Sequence, residues 1–497
     1  MNTDSLDRSL AAGMAWTAGA KWSSQLLSWA SLIIIAHLLS PSDFGLVGMA
    51  TIFVGLITLV SEFGVGAAIL TLRELTPHQI AQLNSVSLLV GLVSFSVSCA
   101  LAPALGHFFR NPKLPAVVIG ISPSFIFLAL RSVPYALLQK ELRFRLLSVA
   151  ETVQSLVQAS LTLLFAALGF GYWALVWGNV LGSALLTLIT LGCKRYGFAR
   201  PRFESIRKAL HFTWHILAAR VCWYGYSNAD FLMVGRLLGT SPLGEYTFAW
   251  NLAAAPADKV SAVVVRVMPA VFSAVQDEYA ALRRYLRLIM EGLCVLIFPP
   301  TIGLALVAHE FVPLVLGKNW EGAIVPLQLL AFYTSFRSIV SLLPQVLTVI
   351  GETRFVMTNT IATFVVMTTA FYISSRWGTT GIAAAWIIAY PVVIIPMYRR
   401  TLRKIHLSAG EYIRGALPPL SGVVAMAIVV GSLKWAMPLT WPLQRRFLIE
   451  VVGGASTYLF LMAGLYGARL RVLWQFVRNL RRKQSVSYRE LDLGIEK

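Results

Sequence analysis

Runs of about 20 apolar residues recur along the whole chain, separated by short polar or basic turns. That is the length a helix needs to cross the roughly 30 Å hydrocarbon core of a bilayer. The pattern predicts fourteen spans, the first six near 12–38, 44–70, 82–106, 115–138, 147–169 and 172–193. The next six fall near 209–237, 244–272, 286–308, 321–349, 355–375 and 380–398, and the last two near 415–437 and 446–467. The connecting segments are too short to hold a soluble domain. Many spans carry proline in their interior: Pro123, Pro134, Pro256, Pro269, Pro299-Pro300, Pro344, Pro391 and Pro396. Each of these removes a backbone hydrogen bond and permits a bend.

The spans repeat. KWSSQLLSWASLIIIAHLLSPSDFG, ending at Gly45, returns as RVCWYGYSNADFLMVGRLLGTSPLG, ending at Gly244. At a constant offset Lys21 falls on Arg220, His37 on Arg236, Leu38-Leu39 on Leu237-Leu238 and Gly45 on Gly244. Further along, Leu130-Arg131-Ser132-Val133 matches Phe336-Arg337-Ser338-Ile339, and Gly169 with Gly171-Tyr172-Trp173-Ala174 resembles Gly378 with Gly381-Ile382-Ala383-Ala384. The expected organisation is an N-lobe (1–193, spans one to six), a basic linker (194–208), a C-lobe (209–404, spans seven to twelve), two extra spans (405–467) and a basic tail (468–497). Six spans per half give both halves the same orientation, and such parallel repeats are a transporter plan with a shared polar cavity.

Composition agrees with the pattern. Of 497 residues 57% are hydrophobic and only 13% charged, with a mean hydropathy of +0.70, which places the chain among polytopic all-α membrane proteins. The net charge of +20 would point to nucleic acid in a soluble chain. Here it follows from basic loops that hold a membrane protein's cytoplasmic side, so no nucleic-acid partner is expected. With the N-terminus inside, the Lys/Arg bias is roughly four to one toward the cytoplasm, and an even span number returns the C-terminus there. The loop 438–446, which puts Arg445 and Arg446 outside, does not fit that bias. The start, MNTDSLDRSLAAG, lacks the basic region of a cleavable signal. The tail segment RLRVLWQFVRNLRRK reads as an amphipathic stretch on anionic headgroups. Trp16, Trp22, Trp173, Trp377, Trp435 and Trp441 lie near span ends, as an aromatic belt requires.

The candidate chemistry is charge at membrane depth, where a cation costs about 2.5–3.5 kcal/mol and should face protein or water. The deep cations are Lys21, Arg131, Arg220, Lys259, Arg266 and Arg337, and the deep acids are Glu62, Asp230 and Asp258. Lys21 can pair with Glu62, and Asp258 can serve Arg220 or neighbouring Lys259; the acids are also candidates for ion binding or charge balance. The cations outnumber the acids, and a water-filled cavity lined by the surplus attracts anions, phosphate above all. Trp223, Tyr224 and Tyr226 offer either a sugar-stacking face or core packing. Arg236 lies near a span end and can snorkel. His211 and His215 share a helix face without a third ligand, no CxxC, phosphate loop or nucleophile elbow occurs, and Cys99, Cys193, Cys222 and Cys294 have neither metal nor disulfide spacing. No catalytic residue, cofactor or metal is expected.

HLLSPSDFGLVGMATIFVGLITLVSEFGVGAAIL (37–70) and its echo DFLMVGRLLGTSPLGEYTFAWNL (230–252) resemble the polysaccharide-transporter branch of the multidrug/oligosaccharidyl-lipid/polysaccharide superfamily, the Wzx-type flippases. The resemblance implies two six-helix lobes in a V with two extra C-terminal helices. It also implies a substrate, an oligosaccharide repeat unit on undecaprenyl pyrophosphate carried across the bacterial inner membrane, and contact with the polysaccharide polymerase machinery. Through the spans that line cavities in that superfamily, it favours Lys21, Glu62, Arg220, Asp230, Asp258, Lys259 and Arg266 over Arg131 and Arg337. The alternatives are a drug or cation antiporter of the same superfamily, whose cavity should be acidic, and a polytopic glycan polymerase or ligase.

Overall fold

The computed structural model describes residues 31, 33–61, 65–71, 75–141, 143–201, 221, 223–274, 278–438 and 440–492. Among them the secondary structure is helical, without a strand. We number the helices α1 (Pro41–Ser61), α2 (Val65–Thr71), α3 (Pro77–Phe109), α4 (Leu114–Ile121), α5 (Pro123–Lys140), α6 (Phe144–Ala167) and α7 (Trp173–Cys193). A helical stretch at 223–233 runs into a π-turn, Val234–Leu238. There follow α8 (Thr240–Ala274), α9 (Tyr279–Leu306), α10 (Ile324–Val340), α11 (Leu343–Val349), α12 (Thr353–Ser374), α13 (Gly378–Ile388), α14 (Tyr390–Lys404), α15 (Ala409–Ala436) and α16 (Leu443–Asp492).

Ten helical stretches among the described residues are long and apolar enough to cross a membrane. The chain is therefore a multi-pass membrane protein. Its large outward apolar side chains face no protein: Ile388, Phe460 and Leu465 are all more than 70% exposed. Trp377 and Trp435, both predicted for the aromatic belt, are exposed at helix ends.

The local sequence explains where the helices begin and break. Thr76 caps α3 by accepting from the Gln79 amide, while the Gln79 side chain accepts from the Thr76 amide and Pro77 takes the first turn, where no amide is needed. Pro123, Pro344 and Pro391 each stand within two residues of a helix start. Pro134, Pro299-Pro300 and Pro396 lie inside helices that run on through them. The segment predicted as one span at 380–398 is divided between α13 and α14. The stretch numbered α16 joins two helices across a kink at Tyr466, whose backbone is not helical, and the second runs to Asp492.

The chain divides into two compact units, neither continuous in sequence. Unit 1 comprises Met1–Thr247, Val315–Gly322 and Met367–Ile382; unit 2 comprises Phe248–Leu314, Ala323–Val366 and Ala383–Lys497. In unit 1, α3 packs along α5 and α6 along α7. Val65, Ile69, Leu83, Val133 and Ala136 form one buried cluster and Ile35, Leu39, Ala166 and Ala174 another. In unit 2, α9 lies against α10 and α15, and α15 against α16. Its larger core joins Phe272, Leu286, Met290, Ile297, Val346, Met426 and Tyr458.

Candidate functional site

The duplicated motif meets itself in unit 1. Ser40 opens α1: its hydroxyl donates to the Asp43 carboxylate at 2.6 Å, and its amide donates to the same oxygen at 3.0 Å. The copy opens α8 differently, after Gly239, whose φ of 99° lies in the left-handed region. Four residues into each helix stand Gly45 and Gly244. A Cβ on Gly45 would sit 1.7 Å from the Thr240 carbonyl oxygen, and one on Gly244 1.8 Å from the Pro41 carbonyl oxygen. The contacts are reciprocal, with each glycine seated on the first residue of the other helix. Only glycine allows backbones this close. Around the crossing, Trp320 donates from Nε1 to the Ala36 carbonyl at 3.0 Å and Tyr224 from its hydroxyl to the Ile52 carbonyl at 2.8 Å. Tyr224, one of the three aromatic candidates, is thus engaged in helix packing, whereas Trp223 is 57% exposed.

The predicted charges separate into several settings. Lys21, Glu62 and Arg220 lie outside the described residues, as do His211 and His215, so the Lys21–Glu62 pairing falls outside them too. Arg266 is on α8, and its side chain is likewise outside what is described. Asp230 is fully buried in unit 1 and accepts a hydrogen bond from the Tyr246 hydroxyl at 2.9 Å. Arg131 is half-buried on α5, one turn before Tyr135, whose hydroxyl donates to Glu151. Arg236 stacks over Phe108 at 5.2 Å.

Unit 2 brings two of the candidates together. Arg337 on α10 reaches Asp258 on α8, Nη2 to Oδ1 at 2.9 Å, with 36% and 56% of their side chains exposed. The sequence reading offered Asp258 to Arg220 or Lys259 and did not name Arg337 as its partner. Lys259 follows on α8, exposed. The Arg337 guanidinium also lies over the Trp250 ring at 5.6 Å. From there an aromatic row continues: Trp250 to Trp386 at 5.5 Å, Trp386 to Tyr333 at 4.6 Å, and Tyr333 to Tyr390 at 5.4 Å. A half-open guanidinium can grip a phosphate or carboxylate oxygen, whereas Trp386 and Tyr333, 2% and 3% exposed, pack the aromatic row into the protein behind it. An exposed ion pair is worth only about 0–1 kcal/mol, so an incoming anion can displace Asp258 at small cost.

Sequence reasoning missed a buried ionic cluster in unit 2. Glu310, in the short helix Ala308–Phe311, binds Lys434 at 2.5 Å and Arg446 at 3.4 Å, and Lys434 lies 3.5 Å from the fully buried Glu450. Arg446, which did not fit the expected loop-charge bias, is held by a carboxylate within unit 2. A glutamate within the apolar run FLIEVVGG was the available signal.

Sequence reasoning also missed two matched ion pairs. Glu141, just after α5, binds Lys194 at the end of α7 at 2.5 Å, with Arg143 at 3.3 Å. Glu352, just before α12, binds Lys404 at the end of α14 at 2.5 Å and Arg400 at 2.9 Å. The Lys194 hydrogen bond holds the Glu141 carboxyl below the usual glutamate range, and the Lys404 and Arg400 hydrogen bonds do the same for Glu352.

Comparison with known proteins identifies the chain's relatives. Residues 34–325 match the family described as "Polysaccharide biosynthesis protein". The chain belongs to that family. The lipopolysaccharide biosynthesis protein WzxC of Escherichia coli (strain K12) is 28% identical over 65% of this chain and 67% of its own length. The teichuronic acid biosynthesis protein TuaB of Bacillus subtilis (strain 168) is 22% identical over 90% of this chain and 95% of its own. The chain also shares its fold with a solved structure of the lipid II flippase MurJ in an inward closed conformation. The TM-score is 0.74 at 15% identity, covering 92% of this chain and all of that one. The fold is that of the superfamily that the sequence motifs resemble.

Proposed function

We propose that this protein is a flippase that carries lipid-linked oligosaccharide repeat units across the bacterial inner membrane by alternating access, without covalent chemistry. The reading is carried by the family match over residues 34–325 in a chain built of membrane-spanning helices. In this reading the pyrophosphate head is bound by membrane-depth cations, Lys21, Arg131, Arg220, Lys259, Arg266 and Arg337, while Glu62, Asp230 and Asp258 balance charge or bind an ion. Arg337 has the strongest support, from its half-open pairing with Asp258 beside Trp250. The two repeats act as six-helix lobes, 1–193 and 209–404, and the tight Gly45–Gly244 crossing supports a fixed point about which helices of the two repeats turn. The Lys/Arg bias supports cytoplasmic termini. Handing the exported unit onward implies contact with polymerase machinery.

The test is complementation of a strain whose own flippase gene is deleted. The wild-type chain is expected to restore surface polysaccharide. Arg337→Ala is expected to lower export about tenfold or more and Arg337→Lys less, since lysine keeps the charge but not the bidentate fork. Full rescue by Arg337→Ala, Lys259→Ala and Arg131→Ala at equal protein levels would reject phosphate binding by these cations. Failure of the wild-type chain to restore any polysaccharide, with drug resistance gained instead, would favour the antiporter.

A further inference from the structure

One cavity in the molecule is built from cations. It has a volume of about 360 Å³, at the small end of the 300–1,000 Å³ typical of ligand sites, and is lined by Phe355, Pro396, Arg399, Arg400, Arg403 and Lys404. All six belong to unit 2, at the start of α12 and the end of α14. On a helix, positions 396, 399, 400, 403 and 404 fall within one arc, so the run PMYRRTLRK aims its charges one way. Met397, Thr401 and Leu402, beyond that arc, are buried.

Among the described residues, the cavity holds more cations than carboxylates pair with. Glu352 takes up Arg400 and Lys404. Among the described residues no carboxylate pairs with Arg399 or Arg403. Like charges four residues apart disfavour a helix by a few tenths of a kcal/mol, a cost an anion would reverse. The Arg400 guanidinium lies over the Phe355 ring, 5.3 Å from its centroid, and both line the cavity.

Beyond the cations, exposed apolar residues lead away along α14: Ile395 (45%) and Val392 (62%) lie about one and two turns before Arg399. The geometry points to a binding site for the phosphate headgroup of an anionic membrane lipid, its oxygens on Arg399 and Arg403 and its chains on this apolar strip of α14. The repeat-related end of unit 1 has the same glutamate–lysine pair, but the turn before Lys194 on α7 reads TLG and Cys193, without arginine. The cationic cavity is therefore not a by-product of the fold. A bilayer phospholipid and a polyprenyl phosphate carrier share this headgroup chemistry.

The test uses the full-length protein purified in detergent, with bound lipid read by native mass spectrometry. The probes are dioleoylphosphatidylglycerol, undecaprenyl phosphate, dioleoylphosphatidylcholine and sodium phosphate. Wild type is expected to hold one of the two anionic lipids over phosphatidylcholine by about tenfold or more, and which one it holds names the source. R399A/R403A is expected to lose that preference and R399K/R403K to keep most of it, both at unchanged melting temperature. Retention of both anionic lipids by R399A/R403A at wild-type levels would overturn the site. So would competition by sodium phosphate as effective as that by either lipid, because the apolar strip would then have no part. No transport is read, so a negative result leaves the flippase reading intact.

Discussion

The Glu141 end of unit 1 and the Glu352 end of unit 2 are two copies of one device with different outcomes. In each, a glutamate in a short turn reaches a lysine on the last turn of a helix two spans on, at the same 2.5 Å. In unit 1 the second cation is Arg143, two residues from the glutamate. In unit 2 it is Arg400, on the same helix as Lys404, and Arg399 and Arg403 stand beside it. The first arrangement balances a local turn. The second leaves a cavity with excess positive charge. Duplication therefore preserved the fastening of each helix end, and sequence drift on one side of one helix added a site to only one copy.

The comparison assumes that the repeats are true copies, and its hardest test is the crossing where they meet. Gly45→Val and Gly244→Val are each expected to cost about 3 kcal/mol or more, because the new side chain lands on backbone that has no room to move. Monodisperse yield and melting temperature in detergent would report this, and the two losses should be alike. Gly410→Ala, where nothing lies within 4 Å, should be silent.

Next in size is the buried ionic cluster of unit 2. Glu310→Ala leaves Lys434 to Glu450 alone and strands Arg446, an expected loss of about 3 kcal/mol. If denaturation of the variant matches wild type, the cluster is not structural.

The two glutamate fastenings should respond together to acid. A carboxyl held below its usual value adds stability that is present above the unfolded value of about 4.3 and is lost as pH falls through the folded one. Wild type should therefore lose thermal stability between about pH 5 and pH 3, and E141Q/E352Q should lose less of it. Identical profiles would show that the pairs do nothing for the fold. The smallest effect separates the copies: Glu352→Gln frees Arg400 and Lys404 and should tighten anionic-lipid binding about two- to fivefold, whereas Glu141→Gln should leave it unchanged.

The membrane-spanning helices, their repeat and the family were readable from the chain because a bilayer imposes length and apolarity on every span, and duplication leaves motifs in register. Even the glycine crossing was half visible, since Gly45 and Gly244 align; that they touch was not. What tertiary structure alone decided is who neutralises whom. Asp258 turned to Arg337 on another helix, and Glu310 reached across to Lys434 and Arg446, more than a hundred residues away. A deep charge announces itself by its cost in an apolar run. Its partner depends on which helix faces come within 4 Å, and that is set by packing between spans that no local pattern encodes.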